Sequence, residues 1–354
     1  MEYGINRDFL LKLLSQIGPS GNERNASRLW QEEAKKFAKV YTDTHGNAYA
    51  EVGKGSPILM LAGHIDEIGL MVRYVDENGF VYLAPVGGWD PQVLVGQRVR
   101  FLTKDGDVLK GVVGRKPIHV LRPEERERAV KIEELFVDFG LSKDEILKRL
   151  DIGAYGVLDW DGEMLTQERL VSRALDDRIG AFVVLEALRM YAKEPADTRM
   201  VAVATVQEEI GLRGARTSAF AVNPDIAIAV DVTVSTDYPG VPKHQIGDIA
   251  LGKGPVLAIG PNINPVIFNL LREIAEDEGI DVQIEAISRG TPTDANLIQI
   301  TREGIPTALI SIPCRYLHSP SETVDLRDVE SAVRLIVAFA RRVSGIRKED
   351  FKPW

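Results

Sequence analysis

The repeated alternation of short apolar runs with helical segments is the feature that most limits how this chain can fold. From about residue 166 onward, runs such as MVAVATV (200–206), IAIAV (226–230) and TALISIP (307–313) are separated by segments with helical spacing of apolar residues. The stretch before about residue 65 shows the same alternation. Strands separated by helices form a largely parallel sheet covered by helices on both faces. We therefore predict an α/β domain made of residues 1–68 and 165–354.

The sequence between these two parts has a different pattern of apolar and turn residues. Residues 69–164 contain short β-rich pieces, such as GLMVRYV (69–75) and FVYLAPV (80–86), which are separated by turn signals such as DENG and KDGD. This pattern predicts a small inserted β-domain, a barrel or a sandwich. The charged stretch 122–150 within it is typical of a solvated loop followed by a surface helix.

Composition excludes several classes of partner. The chain has 43 Lys and Arg against 52 Asp and Glu, a net charge of -9, and no basic block, which argues against nucleic acid or an anionic membrane as a partner. No apolar run approaches the roughly 20 residues of a membrane span, and the N-terminus lacks the pattern of a signal peptide. The single cysteine, Cys314, rules out an internal disulfide and a thiolate-rich zinc site. We expect a cytoplasmic protein, in which any metal is bound by His, Asp and Glu.

Ionisable residues follow the ends of several predicted strands, and one pair precedes a helix. They are His64 and Asp66 after ILMLAG, Glu208 and Glu209 after VAVATVQ, Asp231 after IAIAV, His318 after ALISIPCRYL, and Asp176 and Asp177 before RIGAFVV. Ligands of α/β sheets bind beyond the carboxyl ends of the strands. Each motif alone also fits an ordinary role, such as an exposed strand end or a carboxylate at a helix N-terminus. Together they predict one site at one edge of the sheet.

The number and type of these residues suit a pair of metal ions. Two ions that share a carboxylate each need a further carboxylate and an imidazole. Five residues supply that count: His64, Asp176, Glu209, Asp231 and His318. Glu208 is then left as a base, and Asp66 is placed to accept a hydrogen bond from His64, because residues two apart in a strand share a face. Nitrogen and oxygen ligands without thiolate suit zinc, cobalt or manganese.

Five long motifs run in order through nearly the whole chain: GHIDEIGLMV (63–72), ALDDRIG (174–180), VATVQEEIGLRGARTSAF (203–220), AVDVT (229–233) and RYLHSPSETVD (315–325). They resemble the tetrahedral metallo-aminopeptidases, enzymes with two metal ions that are also labelled glutamyl aminopeptidases or endoglucanases. The resemblance implies hydrolysis of the N-terminal residue from peptides. It also gives each residue a role: His64 and Asp231 on one ion, Glu209 and His318 on the other, Asp176 as the bridge, Glu208 as the general base and Asp66 as the residue that orients His64.

The resemblance is less complete around the expected substrate pocket. Family members have a glycine-rich GGGTD there, whereas this chain has SRGTPTDAN (288–296). On resemblance alone, Gly290, Thr291 and Asp294 are expected to line the pocket, and the difference leaves the preferred side chain open. His119, close to the charged stretch, is a further candidate for contact with substrate.

The resemblance also implies an assembly. In the family the inserted β-domain drives dimerisation, and six dimers form a hollow dodecamer with inward-facing active sites. The charged residues 122–134 resemble a loop that reaches into that chamber. Peptides are then the expected partners, together with further copies of the chain.

Two other functions remain open on the sequence. A related dimetal carboxypeptidase or N-acyl amino acid deacylase would use the same ligands, and a non-catalytic peptide-binding scaffold would use the β-domain. A glycosidase that uses Glu208 and Glu209 is disfavoured, because its two carboxyl groups must face each other about 5–10 Å apart across a sugar. His45 and His244 lie outside the strand-end pattern, and Cys314 is expected in the core.

Overall fold

The apolar runs form the centre of an eight-stranded mixed sheet in the computed structural model of the protein, which describes residues 4–353. The strands of the molecule are β1 (Lys39–Thr42), β2 (Ala48–Val52), β3 (Ile58–His64), β4 (Gly69–Val75), β5 (Val81–Val86), β6 (Arg98–Leu102), β7 (Val108–Gly114), β8 (Phe136–Asp138), β9 (Tyr155–Leu158), β10 (Glu163–Met164), β11 (Arg169–Ser172), β12 (Arg199–Thr205), β13 (Ile226–Val234), β14 (Val256–Ile259), β15 (Gln283–Ala286), β16 (Thr307–Cys314) and β17 (Glu322–Asp325). The large sheet has the order β1-β2-β12-β3-β13-β16-β14-β15.

The four central strands of this sheet, β12, β3, β13 and β16, run parallel to one another. Antiparallel pairs flank them, because β2 lies against β12 and β14 against β16 in the opposite direction. The register places Thr205 of β12 opposite His64 of β3, so that these two strands end at the same level. The carboxyl ends of the central strands therefore meet at one edge, as the sequence predicts.

Helices pack on the sheet in two groups. The helices are α1 (Arg7–Leu14), α2 (Arg24–Ala34), α3 (Pro123–Arg126), α4 (Lys143–Arg149), α5 (Leu175–Lys193), α6 (Arg213–Val222), α7 (Lys243–Ile246), α8 (Pro265–Asp277), α9 (Asp294–Ile298) and α10 (Leu326–Arg342), with four short 3-10 helices at Pro91–Leu94, Ile118–Val120, Ile132–Glu134 and Lys348–Phe351. The long helix α5 is buried along most of its length, contacts β3 and β13, and packs against α10. A second group is formed by α6 and α9, of which α9 contacts β13 and β16.

The inserted β-domain is a closed six-stranded barrel. Its strand order is β4-β5-β8-β7-β6-β9, and every neighbouring pair is antiparallel. The barrel has an apolar core of its own, which includes Val99, Phe101 and Leu135. Gly156 is required inside it, because a Cβ at this position would lie 2.5 Å from the ring of Phe101. These features confirm the predicted fold class, an α/β sheet with helices and an inserted β-barrel.

The interpretation of residues 122–150 as a loop and a surface helix is incomplete. The helix is present as α4, but the stretch also contains β8, the strand that bridges β5 and β7 and so closes the barrel. A strand of three residues is too short for an alternating pattern to reveal it. A separate small sheet, with the order β10-β11-β17, was not predicted either. Within residues 4–353, no helix combines the length and the apolar character that crossing a membrane requires.

Candidate metal centre

Strand β3 delivers His64 to the carboxyl edge of the sheet. The strand is buried along most of its length and ends at His64, whose ring is also buried. Nδ1 of His64 lies 3.2 Å from the backbone oxygen of Asp66 and 3.5 Å from Asp66 Oδ1. Because a carbonyl oxygen can only accept, Nδ1–H donates to it, and Nε2 is the ring nitrogen that faces the other site residues. The nearer partner of His64 is thus the backbone of Asp66, whereas the spacing predicts its carboxylate.

Asp176 lies between two imidazoles at the start of α5. Its Oδ1 is 3.2 Å from Nε2 of His64, and its Oδ2 is 3.2 Å from Nε2 of His318. The neighbouring Asp177 does not share this position, since it accepts the backbone N–H groups of His64 and Gly180 at 3.2 and 3.0 Å. Each oxygen of Asp176 therefore faces a different histidine, which is the arrangement that a bridging carboxylate requires.

Two groups of potential metal ligands share this aspartate. One group contains His64, Asp176 and Asp231, and the other contains Asp176, Glu209 and His318. Within each group, one ligand atom from every residue lies within 4.8 Å of the others. The five residues that the sequence suggests as ligands thus come together in space.

The two glutamates after β12 occupy a turn that Asp66 holds in place. Gln207 has a positive φ of 56°, and the backbone N–H groups of Glu208 and Glu209 donate to Oδ1 and Oδ2 of Asp66 at 3.1 and 3.2 Å. Oε2 of Glu208 lies 3.7 Å from Nε2 of His64, whereas Oε2 of Glu209 lies 3.5 Å from Nε2 of His318. The two neighbouring carboxylates therefore address opposite halves of the site.

The site holds more negative charge than its surroundings balance. The pKa of Glu208 is raised to about 10, and the pKa values of Glu209 and Asp231 are raised to about 8. Burial is the largest cause in each case, and the charges of nearby carboxylates contribute to the same shift. Burial also raises the pKa of Asp176, but its hydrogen bonds with His318 and His64 outweigh burial and the pKa is lowered. The hydrogen bond with Asp176 is in turn the largest cause that raises the pKa of His318 to about 10.

These residues fit divalent cations. Oε1 of Glu209 is buried and has no hydrogen-bond partner within the described residues, so that one ligand oxygen is left unsatisfied. Buried charges in proteins are paired or bind metal. The donors are imidazole nitrogens and carboxylate oxygens, which suit zinc, cobalt or manganese. Positive charge in the two ligand groups would stabilise the ionised form of these carboxylates.

Three further residues support the site and are absent from the sequence-based prediction. Glu322 accepts the backbone N–H groups of His318 at 2.9 Å and of Asp176 at 3.1 Å, so it connects the second histidine to the shared aspartate. Ser20 donates its hydroxyl to Oδ2 of Asp66 at 2.6 Å. The backbone oxygen of Gly88 accepts a hydrogen bond from Nδ1 of His318 at 2.6 Å. Glu322 lies within the motif RYLHSPSETVD, four residues after a ligand, and this spacing could have revealed it.

Two of the four residues expected to contact substrate, Asp294 and Thr291, are buried. Asp294 is buried, accepts the hydroxyl of Thr205 at the end of β12, and keeps Oδ1 without a hydrogen-bond partner among residues 4–353. Its charge contributes to the raised pKa values of Glu208 and Asp231. Thr291 is buried and hydrogen-bonded to Asn262 and Thr293.

The other two substrate candidates are exposed. Gly290 lies in the loop before α9. His119 lies in the 3-10 helix Ile118–Val120, and no hydrogen bond or ion pair of the described residues joins it to the metal ligands. Of the four substrate candidates, Asp294 is the one whose charge acts on Glu208 and Asp231.

Comparisons with known proteins give a consistent assignment. The family model for M42 glutamyl aminopeptidase matches residues 46–335. A lysyl aminopeptidase of Pyrococcus furiosus is 38% identical, with 99% of this chain and 100% of that protein covered. The crystal structure of a TET aminopeptidase from a marine sediment archaeon of the Thaumarchaeota superposes with a TM-score of 0.93 at 32% identity, with 98% of each chain covered. The TET1 peptidase of Pyrococcus horikoshii, which can assemble into a tetrahedron or a large octahedral shell, has a TM-score of 0.85 at 32% identity, with 94% and 98% covered.

Proposed function

The chain belongs to the M42 family of glutamyl aminopeptidases and is a hydrolase of peptide bonds, and we propose that it removes N-terminal residues from peptides with two divalent metal ions. The observation that carries this proposal is the position of Asp176, whose two oxygens each lie 3.2 Å from the Nε2 atom of a different histidine. Asp176 is also the residue that the two ligand groups have in common.

We assign the ligands by the two groups that Asp176 joins. His64 and Asp231 would hold one ion, Glu209 and His318 would hold the other, and Asp176 would bridge them. When bound, such ions polarise the scissile carbonyl, activate the attacking water and lower the pKa of nearby acids. Zinc and cobalt, and also manganese, match the nitrogen and oxygen donors.

Glu208 is the residue we assign as general base. It is buried close to His64, and it lies outside both ligand groups, so its carboxylate is free for proton transfer. In the proposed reaction Glu208 takes a proton from the attacking water and then gives it to the nitrogen of the leaving amine. Asp66 supports this step by fixing the backbone N–H of Glu208, which limits where the carboxylate can lie.

Buried carboxylates around the metal ligands would recognise the free amine of the substrate. Asp294 is the first candidate, because its Oδ1 has no partner among the described residues and its charge acts on Glu208 and Asp231. Gly290 and Thr291, in the segment before α9, would shape the pocket beside it. His119 remains a proposed contact from the charged stretch of the barrel domain.

The barrel domain, residues 69–164, would drive dimerisation, and the dimers would form a dodecamer. This proposal is supported by the TET1 peptidase of P. horikoshii, which can assemble into a tetrahedron or a large octahedral shell and covers 94% of this chain at a TM-score of 0.85. Analytical ultracentrifugation of the purified protein tests it, and a stable monomer would contradict it.

The test of the proposed function separates metal binding from proton transfer. Glu208→Gln should retain two metal equivalents by elemental analysis but lose about 10²–10⁴-fold in kcat, because the amide cannot accept the proton. His318→Ala should retain one equivalent. Glu276→Gln, at an exposed position of α8, is the matched control and should behave as wild type. Near-normal turnover of Glu208→Gln would refute its role as base.

The choice of substrate separates the remaining alternatives. An aminopeptidase cleaves amino-acid anilides that carry a free amine and leaves their N-acetyl derivatives intact. A deacylase or a carboxypeptidase would instead act on N-blocked substrates. Equal cleavage of free and N-acetylated anilides would therefore overturn the assignment as an aminopeptidase.

A further inference from the structure

A short loop of the inserted barrel touches the metal centre. This barrel loop, residues 87–90, follows β5 and has the sequence GGWD. The carbonyl oxygen of Gly88 accepts the hydrogen bond from Nδ1 of His318 at 2.6 Å. A Cβ at Gly87 would lie 3.4 Å from Cβ of Glu209 and 2.7 Å from Cγ2 of Ile68. The barrel loop thus lies against both ligands that belong to one metal group alone.

The barrel loop is fixed to the barrel. The indole N–H of Trp89 donates to the backbone oxygen of Gly69, the first residue of β4, at 2.7 Å, and its ring packs against the apolar core of the barrel. Trp89 also lines a narrow cleft together with Asp176 and Glu322, so it stands between the barrel and the site. Gly87 has a φ of 79°, which a residue with a Cβ adopts only with strain.

The other metal group has no comparable contact with the barrel. Nδ1 of His64 donates to the backbone oxygen of Asp66 in the α/β domain, and Oδ1 of Asp231 accepts a hydrogen bond from the backbone N–H of Val232. Among the hydrogen bonds of residues 4–353, none joins residues 69–164 to His64 or Asp231. The two metal groups are therefore supported by different parts of the fold.

We propose that the barrel loop positions His318, so that the inserted barrel controls the metal affinity of the Asp176–Glu209–His318 group and leaves the His64–Asp176–Asp231 group unaffected. The proposal rests on the proposed binding of two ions. A carbonyl oxygen accepts but never donates, so Gly88 requires Nδ1 of His318 to carry a proton, and Nε2, which faces Asp176 and Glu209, is left as the nitrogen that would bind an ion. Trp89 acts as a positioning residue, because it holds the Gly88 carbonyl at the right place.

Cobalt titration of the metal-free, full-length protein tests this proposal. Calorimetry and the visible absorption of Co²⁺ count the equivalents bound and give an affinity for each. Trp89→Phe removes the hydrogen bond to Gly69, and Gly87→Ala places a methyl group against Ile68. Either change should weaken one equivalent about 10–100-fold, the usual effect of losing a residue that orients a ligand, and leave the other unchanged.

Two matched controls lie in the same barrel domain, away from the metal centre. Trp160→Phe removes an indole hydrogen bond to Gln97, and Gly96→Ala strains a glycine with a φ of 76° that has no atom within 4 Å of an added Cβ. Both controls should bind two equivalents with the affinities of the wild type. If Gly87→Ala does not fold, Trp89→Phe decides the question alone.

The outcomes separate this inference from the proposed function. A wild-type protein that binds only one ion would overturn both, because there would be no second group to position. A wild-type protein that binds two ions, with Trp89→Phe weakening neither or both alike, would overturn the role of the barrel loop alone. Selective weakening of one equivalent, with thermal unfolding of the metal-free protein as in the wild type, would support it.

Discussion

Asp66 shows how one carboxylate can organise the turn that carries Glu208 and Glu209. It accepts the backbone N–H groups of Glu208 and Glu209 and the hydroxyl of Ser20 with its two oxygens. Hydrogen bonds to charged groups are worth about 1.5–3 kcal/mol each. The turn after β12 therefore depends on Asp66 for its conformation, and the positions of Glu208 and Glu209 depend on that turn.

Asp66→Asn should reduce kcat by about 10–100-fold, the range typical for residues that support a metal site. The amide presents an N–H₂ group to a backbone N–H, so at least one of these hydrogen bonds is lost. Ser20→Ala removes one bond and leaves both N–H contacts in place, and it should cost less. Steady-state kinetics of both variants measures the difference, and an unchanged kcat for Asp66→Asn would contradict this role.

Glu23 provides a test of how the burial of one carboxyl group changes the pH dependence of stability. It is buried, and burial is the largest cause that raises its pKa from 4.5 to about 7, while Oε1 accepts the backbone N–H groups of Gly21 and Gln207. The folded protein therefore holds this proton more tightly than the unfolded chain. The stability that Glu23 contributes is present below pH 4.5 and is lost as the pH rises through about 7.

Glu23→Gln keeps an acceptor oxygen at Oε1 and cannot ionise. We expect it to become more stable than the wild type by about 1–3 kcal/mol as the pH rises from 5 to 8, since each pKa unit is worth about 1.4 kcal/mol. Denaturant midpoints at both pH values measure this change. A constant difference between variant and wild type at pH 5 and pH 8 would show that Glu23 does not titrate in this range.

Residue types indicate the proposed ligands of the site, but not the residues that support them. Imidazoles and carboxylates after apolar strands are unusual enough to predict His64, Glu209 and His318 from sequence alone. The contact from Gly88 uses a backbone carbonyl, which every residue carries, so no residue type marks it. The bond from His64 to the backbone rather than to the carboxylate of Asp66 likewise depends on a turn geometry that spacing does not define.

At the scale of elements, Arg178 of α5 joins α1 to β3. Its guanidinium is fully buried and donates to backbone oxygens at the end of α1, to the oxygen of Ile65 after β3, and to the carboxylate of Glu67 at 2.7 Å. The last carbonyls of a helix have no partner within the helix, and a cation near them is favourable. This single side chain therefore donates hydrogen bonds to the backbone oxygens at the end of helix α1 and just after strand β3.

Arg178→Met should lower the free energy of unfolding by about 3–5 kcal/mol, because it leaves Glu67 and several carbonyls buried with fewer donors. Lys193→Met is the matched control on the same helix. Lys193 is the last residue of α5, is exposed and has no ion pair among residues 4–353, so its replacement should cost about 1 kcal/mol or less. Chemical denaturation of the two variants compares these values, and equal losses would contradict the role of Arg178.

The central strands could be predicted, whereas the flanking strand β14 could not. β3, β12, β13 and β16 are long apolar runs, which is typical of strands buried on both faces. β14 has four residues, VLAI, and lies close before α8, so its pattern does not distinguish it from the approach to a helix. Its antiparallel direction depends on the path of the chain after β13, and the local sequence does not predict that path.

At the scale of the whole molecule, the inserted barrel is recognisable because its short β-rich pieces are separated by turn signals. The fold class and the aminopeptidase family are both confirmed, the first by the closed barrel and the mixed sheet and the second by the matching family model. The contact of the barrel with His318 is not predictable from sequence, because it joins residues 230 positions apart through the backbone oxygen of a glycine.

Removal of divalent ions should destabilise the whole molecule more at pH 9 than at pH 6. Without cations, the pKa values of Glu209 and Asp231 are raised to about 8 and those of Glu208 and His318 to about 10. The folded protein then holds protons that the unfolded chain releases at lower pH, so its stability falls as the pH rises through this window. Asp176 has a lowered pKa and changes in the opposite direction, but only at acidic pH.

With ions bound, the same carboxylates are held in their ionised form, and ligand binding adds stability to the folded state. The difference in thermal midpoint between the metal-loaded and chelator-treated protein should therefore grow from pH 6 to pH 9. Addition of cobalt to the chelated sample should restore the midpoint at both pH values, which controls for irreversible loss. A chelator effect of equal size at both pH values, or a larger one at pH 6, would mean that the buried carboxylates are balanced by groups of the protein itself.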